Sequence, residues 1–181
     1  LNKFMLKIQD SYDHVKHLIR TRPGIIVTNV CNLSCGGCYA QCGKFPKEKL
    51  WNGPFEFPIN VRQITTPHGE IRMTPERGRY MHKGIDLINH PKCVVWAAQA
   101  GKVIIKDQFT LYGNAVVLDH GLGVFTLYAH LDSFANIEVG DMISKGNAIG
   151  KLGMTGWASG YHLHWELLVN NVGVDPVEWT N

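Results

Sequence analysis

The run YHLHWE places His162 and His164 one residue apart, and two further runs, HKGID and YAHL, supply His82, Asp86 and His130. Imidazoles and carboxylates are the ligands of catalytic zinc, which takes three protein donors and keeps a fourth position open. His82, Asp86 and His164 would make such a His₂Asp set. An ion bound there brings the pKa of its water toward about 7 and polarises a carbonyl. The remaining pair, His130 and His162, would then act on the proton or on the developing oxyanion. The sequence contains no HExxH run, which excludes the helix-borne zinc site.

These groups need elements that aim them at one place. On a helix His162 and His164 would point about 200° apart, whereas on a strand they share a face. A strand over 162–169 puts Leu163, Trp165, Leu167 and Val169 in the core and His162, His164 and Glu166 opposite. Alternation over 124–131 sends Phe125, Leu127, Ala129 and Leu131 inward and Thr126, Tyr128 and His130 outward. In HKGIDL, Ile85 and Leu87 oppose His82, Gly84 and Asp86. GKVIIKD (101–107) and NAVVLDH (114–120) are further β-rich runs, and glycine turns separate them. The expected class is mainly β, a small antiparallel sheet domain.

Upstream, apolar residues at helical spacing predict an amphipathic helix over 1–20, and GIIVTNV (24–30) a short strand. Residues 43–60 hold three prolines and two glycines after Gly43 is counted, and read as an irregular linker. The division falls near residue 50: an N-terminal helix with a cysteine-rich segment over 1–50, and a β-rich unit carrying the histidine runs over 51–181.

The chain has 181 residues, 45% hydrophobic and 18% charged, so a real core is expected. A net charge of +3 is too weak to argue for nucleic acid, and suits an anionic cell wall. No apolar run approaches the ~20 residues of a membrane span. A leading Leu without a signal-like stretch reads as a processed or excised piece of something longer.

HKGID, YAHL and HLHWE, in this order, resemble the lysostaphin-type (LytM-like) zinc metalloendopeptidases that cut peptidoglycan. YGNAVVLDHG, VGDMISKGNAIGKLGMTG and VDPVEW support the resemblance, which covers roughly residues 55 to 180. It implies zinc on His82, Asp86 and His164, with His162 and His130 as general base and transition-state stabiliser. It also implies a small antiparallel sheet with a narrow groove walled by loops. The implied substrate is the cross-link or stem peptide of peptidoglycan. The implied location is extracellular, in the cell envelope, or on a phage virion, within a larger chain or assembly. An FGxR-like segment usual before the zinc motif reads PHGEIR here, with His68 in place of the aromatic and one residue inserted before Arg72. The alternative is a non-catalytic wall-binding or regulatory module on the same fold.

Cys31, Cys35, Cys38 and Cys42 fall within twelve residues. VTNVCNLSCGGCY resembles the cysteine motif of radical S-adenosylmethionine enzymes, but too little chain follows for their barrel. The four thiols are suited to a second zinc, to an iron–sulfur cluster, or to two disulfides. Cys93 reads as a buried free thiol, and His120 as a hydrogen-bonding turn residue. His14 and His17 read as a surface pair, and His68 and His90 as loop residues. Tyr80, Tyr112, Tyr128 and Tyr161 are candidates to line a groove.

Overall fold

Runs rich in β-branched and aromatic residues, many of them separated by glycine turns, form the strands of the described residues. The computed structural model describes residues 48–74, 78–170 and 172–180. The expected helix over 1–20, the strand over 24–30 and Cys31, Cys35, Cys38 and Cys42 lie outside the described residues, as do His14 and His17. The strands are β1 (Gln63–Thr66), β2 (Ile71–Thr74), β3 (Gly78–Met81), β4 (Ile85–Ile88), β5 (Val94–Trp96) and β6 (Gly101–Phe109). They continue with β7 (Gly113–Asp119), β8 (Val124–Phe134), β9 (Met142–Ile143), β10 (Ala148–Leu152), β11 (Leu163–Val169) and β12 (Val172–Val174).

The main sheet runs β1-β4-β11-β8-β7-β6-β9, all neighbours antiparallel. β8 is long enough to leave this path and pair with β10, which also holds β5. β12 pairs with β11, and β2 with β3 forms a separate hairpin. The expected mainly β, antiparallel class is what the chain adopts.

One sheet face packs the larger core, in which Trp165, Tyr128, Leu87, Leu118, Leu131 and Ile149 are fully buried. Burying side chains of this size contributes on the order of 1.5–3 kcal/mol each. A second, smaller cluster on the other face contains Phe109, Ala115, Val117, Phe125, Leu127 and Leu168. The sheet is therefore apolar on both sides where β7, β8 and β11 meet.

Two expectations change. Residues 48–62 are irregular, as the linker reading over 43–60 expected, but from residue 51 they pack against the core rather than merely connecting. Phe55 and Ile59 are 1% and 2% exposed, and the backbone of Phe55 donates to Trp179 at 2.9 Å. The segment closes the far side of the larger core, with Phe55 edge-on to both His120 and Trp179. The facing of β8 is also reversed. Cross-strand partners share a face, and the register pairs Trp165 with Tyr128 and Glu166 with Leu127. Tyr128 thus enters the larger core, while Phe125, Leu127 and Ala129 lie on the side of His164 and Glu166. The cause is a β-bulge in β8. Asn114 of β7 faces Leu131, but Val116 faces Tyr128, so Ala129 and His130 together oppose Ala115. His130 sits there with φ +61°, a left-handed conformation uncommon for a residue other than glycine. The extra residue returns Leu131 to the core and turns His130 to the face of His164.

Candidate metal centre

The centre is built where β4 and β11 run side by side. Asp86 and His164 are direct cross-strand partners, so their side chains emerge together. Leu87 and Ile85, opposite Leu163 and Trp165, go to the core as alternation requires. Gly84 permits the close approach. A Cβ there would lie 2.3 Å from the Trp165 carbonyl oxygen and 2.8 Å from Glu166 Cγ. His82 is not on a strand, contrary to expectation. It follows β3, and its backbone is clamped to the turn before β2: Gly69 donates to its carbonyl at 2.9 Å, and it donates to Glu70 at 2.8 Å. His162 likewise precedes its strand, held by a single bridge to Gly153.

The structure brings His82, Asp86 and His164 into one buried cluster. His164 Nδ1 lies 2.9 Å from Asp86 Oδ1 and 3.0 Å from His82 Nε2, and His82 Nε2 lies 3.1 Å from Asp86 Oδ1. Tetrahedral ligands at zinc bond lengths of about 2.0–2.1 Å stand about 3.3 Å apart. Three donors at these separations, all buried and all of types zinc accepts, fit that ion.

Each imidazole has one nitrogen pinned away from the centre. His82 Nδ1 donates to the Pro67 carbonyl at 3.1 Å. His130 Nδ1 donates to the Thr155 carbonyl, and His162 Nδ1 to the Gly160 carbonyl, both at 2.8 Å. His164 Nε2 faces the Glu166 carboxylate at 2.8 Å. A carbonyl or carboxylate only accepts, so these contacts set the tautomers. When these rings are neutral, as a bound cation requires of its ligands, the other nitrogens, Nε2 of His82, His130 and His162 and Nδ1 of His164, carry the lone pairs. His162 Nε2 is 3.8 Å from Asp86 Oδ1, and the His130 and His162 rings lie tilted by 50° with centroids 4.6 Å apart.

Electrostatics follow from burial and pairing. Burial alone would raise the Asp86 pKa, but hydrogen bonds from His164 and His82 hold it well below the usual carboxylate range. Burial disfavours a charged His164, yet Asp86 and Glu166 together lift it to about 9. Burial, reinforced by His162, pushes His130 down to about 4, so at neutral pH it is an uncharged acceptor.

A cleft of about 550 Å³ opens over the centre. The β2–β3 hairpin, with Arg72 and Tyr80, walls one side, and the loop carrying Trp157 and Tyr161 the other. Tyr112 also lines it, whereas Tyr128 is in the core. The inserted residue in PHGEIR does not remove Arg72 from the site. Its guanidinium hydrogen-bonds Thr66 and Glu70, and stands 3.8 Å from Asp86 Oδ2. His120 is fully buried at the opposite end of β7, bonded to the Ala100 carbonyl and Thr126 at 2.7 Å each. Cys93 is half-buried with a free thiol, its pKa raised by burial. Sequence reasoning assigned no task to Glu166 or Thr155, and gave Tyr112 only as a candidate to line a groove. The period-two pattern of HLHWELLV did place Glu166 on the face of His164.

The chain is 38% identical over 137 residues to the DD-carboxypeptidase/endopeptidase Mpg of Neisseria meningitidis, covering 75% of this chain and 30% of that protein. It thus spans less than a third of that relative's length. Its fold is similar to a zinc-containing peptidase from Vibrio cholerae, with a TM-score of 0.63 and 34% identity, over 68% of this chain and 39% of that one. It is also similar to the catalytic domain of the antimicrobial peptidase lysostaphin from Staphylococcus simulans, with a TM-score of 0.59 and 27% identity, over 67% of this chain and 92% of that one. The pattern of peptidase family M23 matches residues 80–176, a span that contains all five converging side chains, and the chain belongs to that family.

Proposed function

We propose that this chain is a zinc-dependent endopeptidase that hydrolyses peptide cross-links or stem peptides of bacterial peptidoglycan. The observation that carries the reading is the convergence of His82 Nε2, Asp86 Oδ1 and His164 Nδ1 within one buried cluster beside two imidazoles of set tautomer. Family membership and the names of the relatives support the substrate class. Residues 51–181 form the peptidase unit in this proposal, and the cell envelope or exterior is where its substrate lies.

His82, Asp86 and His164 would hold the ion. Zinc bound there supplies Lewis acidity, activating water and polarising the scissile carbonyl. His162, whose Nε2 lies 3.8 Å from Asp86 Oδ1, accepts the proton of the attacking water at that nitrogen. His130, its ring 4.6 Å away, presents an uncharged Nε2 beside it. The protonated imidazole then hydrogen-bonds the tetrahedral oxyanion and returns its proton to the departing amine. The walls of the cleft hold the extended peptide and exclude bulk water. A wall-binding module would have no use for two accessory imidazoles locked as acceptors.

The test is digestion of purified cell walls, both glycine-bridged and directly cross-linked, with and without chelator. New amino termini that vanish with chelator and return with zinc are expected. No chelator-sensitive product from either wall type would overturn the proposal.

A further inference from the structure

Glu166 lies two residues beyond His164 on β11, so the two side chains emerge on one face. Glu166 is 4% exposed. Its Oε1 stands 2.8 Å from His164 Nε2, and the Tyr112 hydroxyl donates to the same oxygen at 3.1 Å. A buried carboxylate is costly unless it is paired and hydrogen-bonded, and Leu or Met would fill this volume without that cost. The cost is offset by what the carboxylate does to the ring beside it.

A carboxylate oxygen accepts, so a neutral His164 must carry its proton on Nε2. Nδ1 is then the lone pair, and it is Nδ1 that faces Asp86 and His82 at 2.9 and 3.0 Å. Tyr112 braces the arrangement at both ends: its hydroxyl holds Glu166, and its carbonyl accepts from the His130 backbone at 2.7 Å. Gly84 gives the Glu166 stem its room, since a Cβ there would sit 2.8 Å from Glu166 Cγ.

We propose that Glu166, braced by Tyr112, is a positioning residue that sets the tautomer and ring plane of His164 for a divalent ion. The inference rests on the zinc reading given above. Its test is zinc affinity of the full chain, by competition with a chromogenic chelator, for the parent, Glu166→Gln and Tyr112→Phe. The affinity followed is that of the zinc equivalent lost in His164→Ala. Glu166→Gln keeps the size but removes the charge, and is expected to weaken zinc by about 10–100-fold. The cobalt-substituted variant should show shifted absorption bands. With zinc saturating, kcat should fall while KM stays near the parental value, because the buried Glu166 carboxylate is taken up by His164 and Tyr112. Tyr112→Phe should move affinity in the same direction by less. A merely structural Glu166 would lower the melting temperature and leave affinity and spectrum alone, and that result overturns the inference. If Glu166→Gln does not fold, Tyr112→Phe decides, and unchanged affinity there is equally fatal. A parent that takes up no zinc at His164 would sink the zinc reading and this inference together. A parent that binds, with variants that bind equally well, would sink the inference alone.

Discussion

Gly113→Ala should separate metal binding from catalysis. Gly113 opens β7 at φ +62°, and a Cβ there would lie 2.3 Å from both Thr155 C and Thr155 Oγ1. The left-handed backbone costs an L-residue about 1–2 kcal/mol. Ordinary carbon contacts are about 3.5–4.0 Å, so Thr155 must retreat by more than ~1 Å. Thr155 is the residue whose carbonyl holds His130 Nδ1, and whose hydroxyl joins the Leu131 carbonyl to the Asn114 amide. The His130 ring moves with it. A misplacement of about 1 Å in a reacting geometry can cost on the order of 100-fold. His82, Asp86 and His164 hang on other segments and keep their places. The assay is steady-state hydrolysis of a purified cross-linked peptide alongside a zinc titration. Turnover should drop by about 100-fold at nearly parental zinc affinity. Parental turnover in a folded Gly113→Ala protein would refute the idea that this wall positions His130. Loss of zinc with turnover would refute the separation of the two roles.

The other expectations are briefer. His162→Ala should retain zinc and lose about 10²–10⁴ in kcat, the usual share of a general base; a loss of zinc instead would make His162 a ligand. With His164 raised to about 9 in the metal-free protein, zinc must displace its proton at neutral pH. Apparent zinc affinity should therefore climb about tenfold per pH unit up to ~9 and then level off, and a plateau already at pH 7 would contradict this. His120 is held down to about 4, mainly by burial. Its native pKa is depressed, so the stabilisation is present above ~6.5 and lost as pH falls toward ~4, worth roughly 3 kcal/mol. Urea unfolding of His120→Gln should show a correspondingly shallower loss of stability between pH 7 and 4 than the parent; equal slopes would place the acid sensitivity elsewhere.

The centre's own strands were legible because alternation is a local signal. Leu163, Trp165 and Leu167 against His164 and Glu166 needed only period two, and Ile85 and Leu87 against Asp86 needed the same. β8 broke the rule because a bulge adds one residue and inverts the facing of what precedes it. Both faces of β8 are also buried, so Phe125 and Tyr128 give no contrast in polarity to betray the inversion. His82 reached the centre through turn hydrogen bonds, to which alternation is blind. Phe55 and Ile59 were hidden by neighbouring prolines, which mark irregular backbone whether it is solvated or packed. Arg72 and Glu166 owe their importance to partners distant in sequence, Asp86 and Tyr112 among them. Such pairings exist only once the sheet has formed.

Zinc stoichiometry, compared between the parent and His164→Ala by elemental analysis, tests the central claim most directly. The difference is informative whatever the N-terminal cysteines hold, since both proteins share them. The account predicts that the substitution removes one equivalent of zinc per chain and abolishes hydrolysis. Equal metal content in the two proteins, or a His164→Ala protein that still cuts, would contradict it.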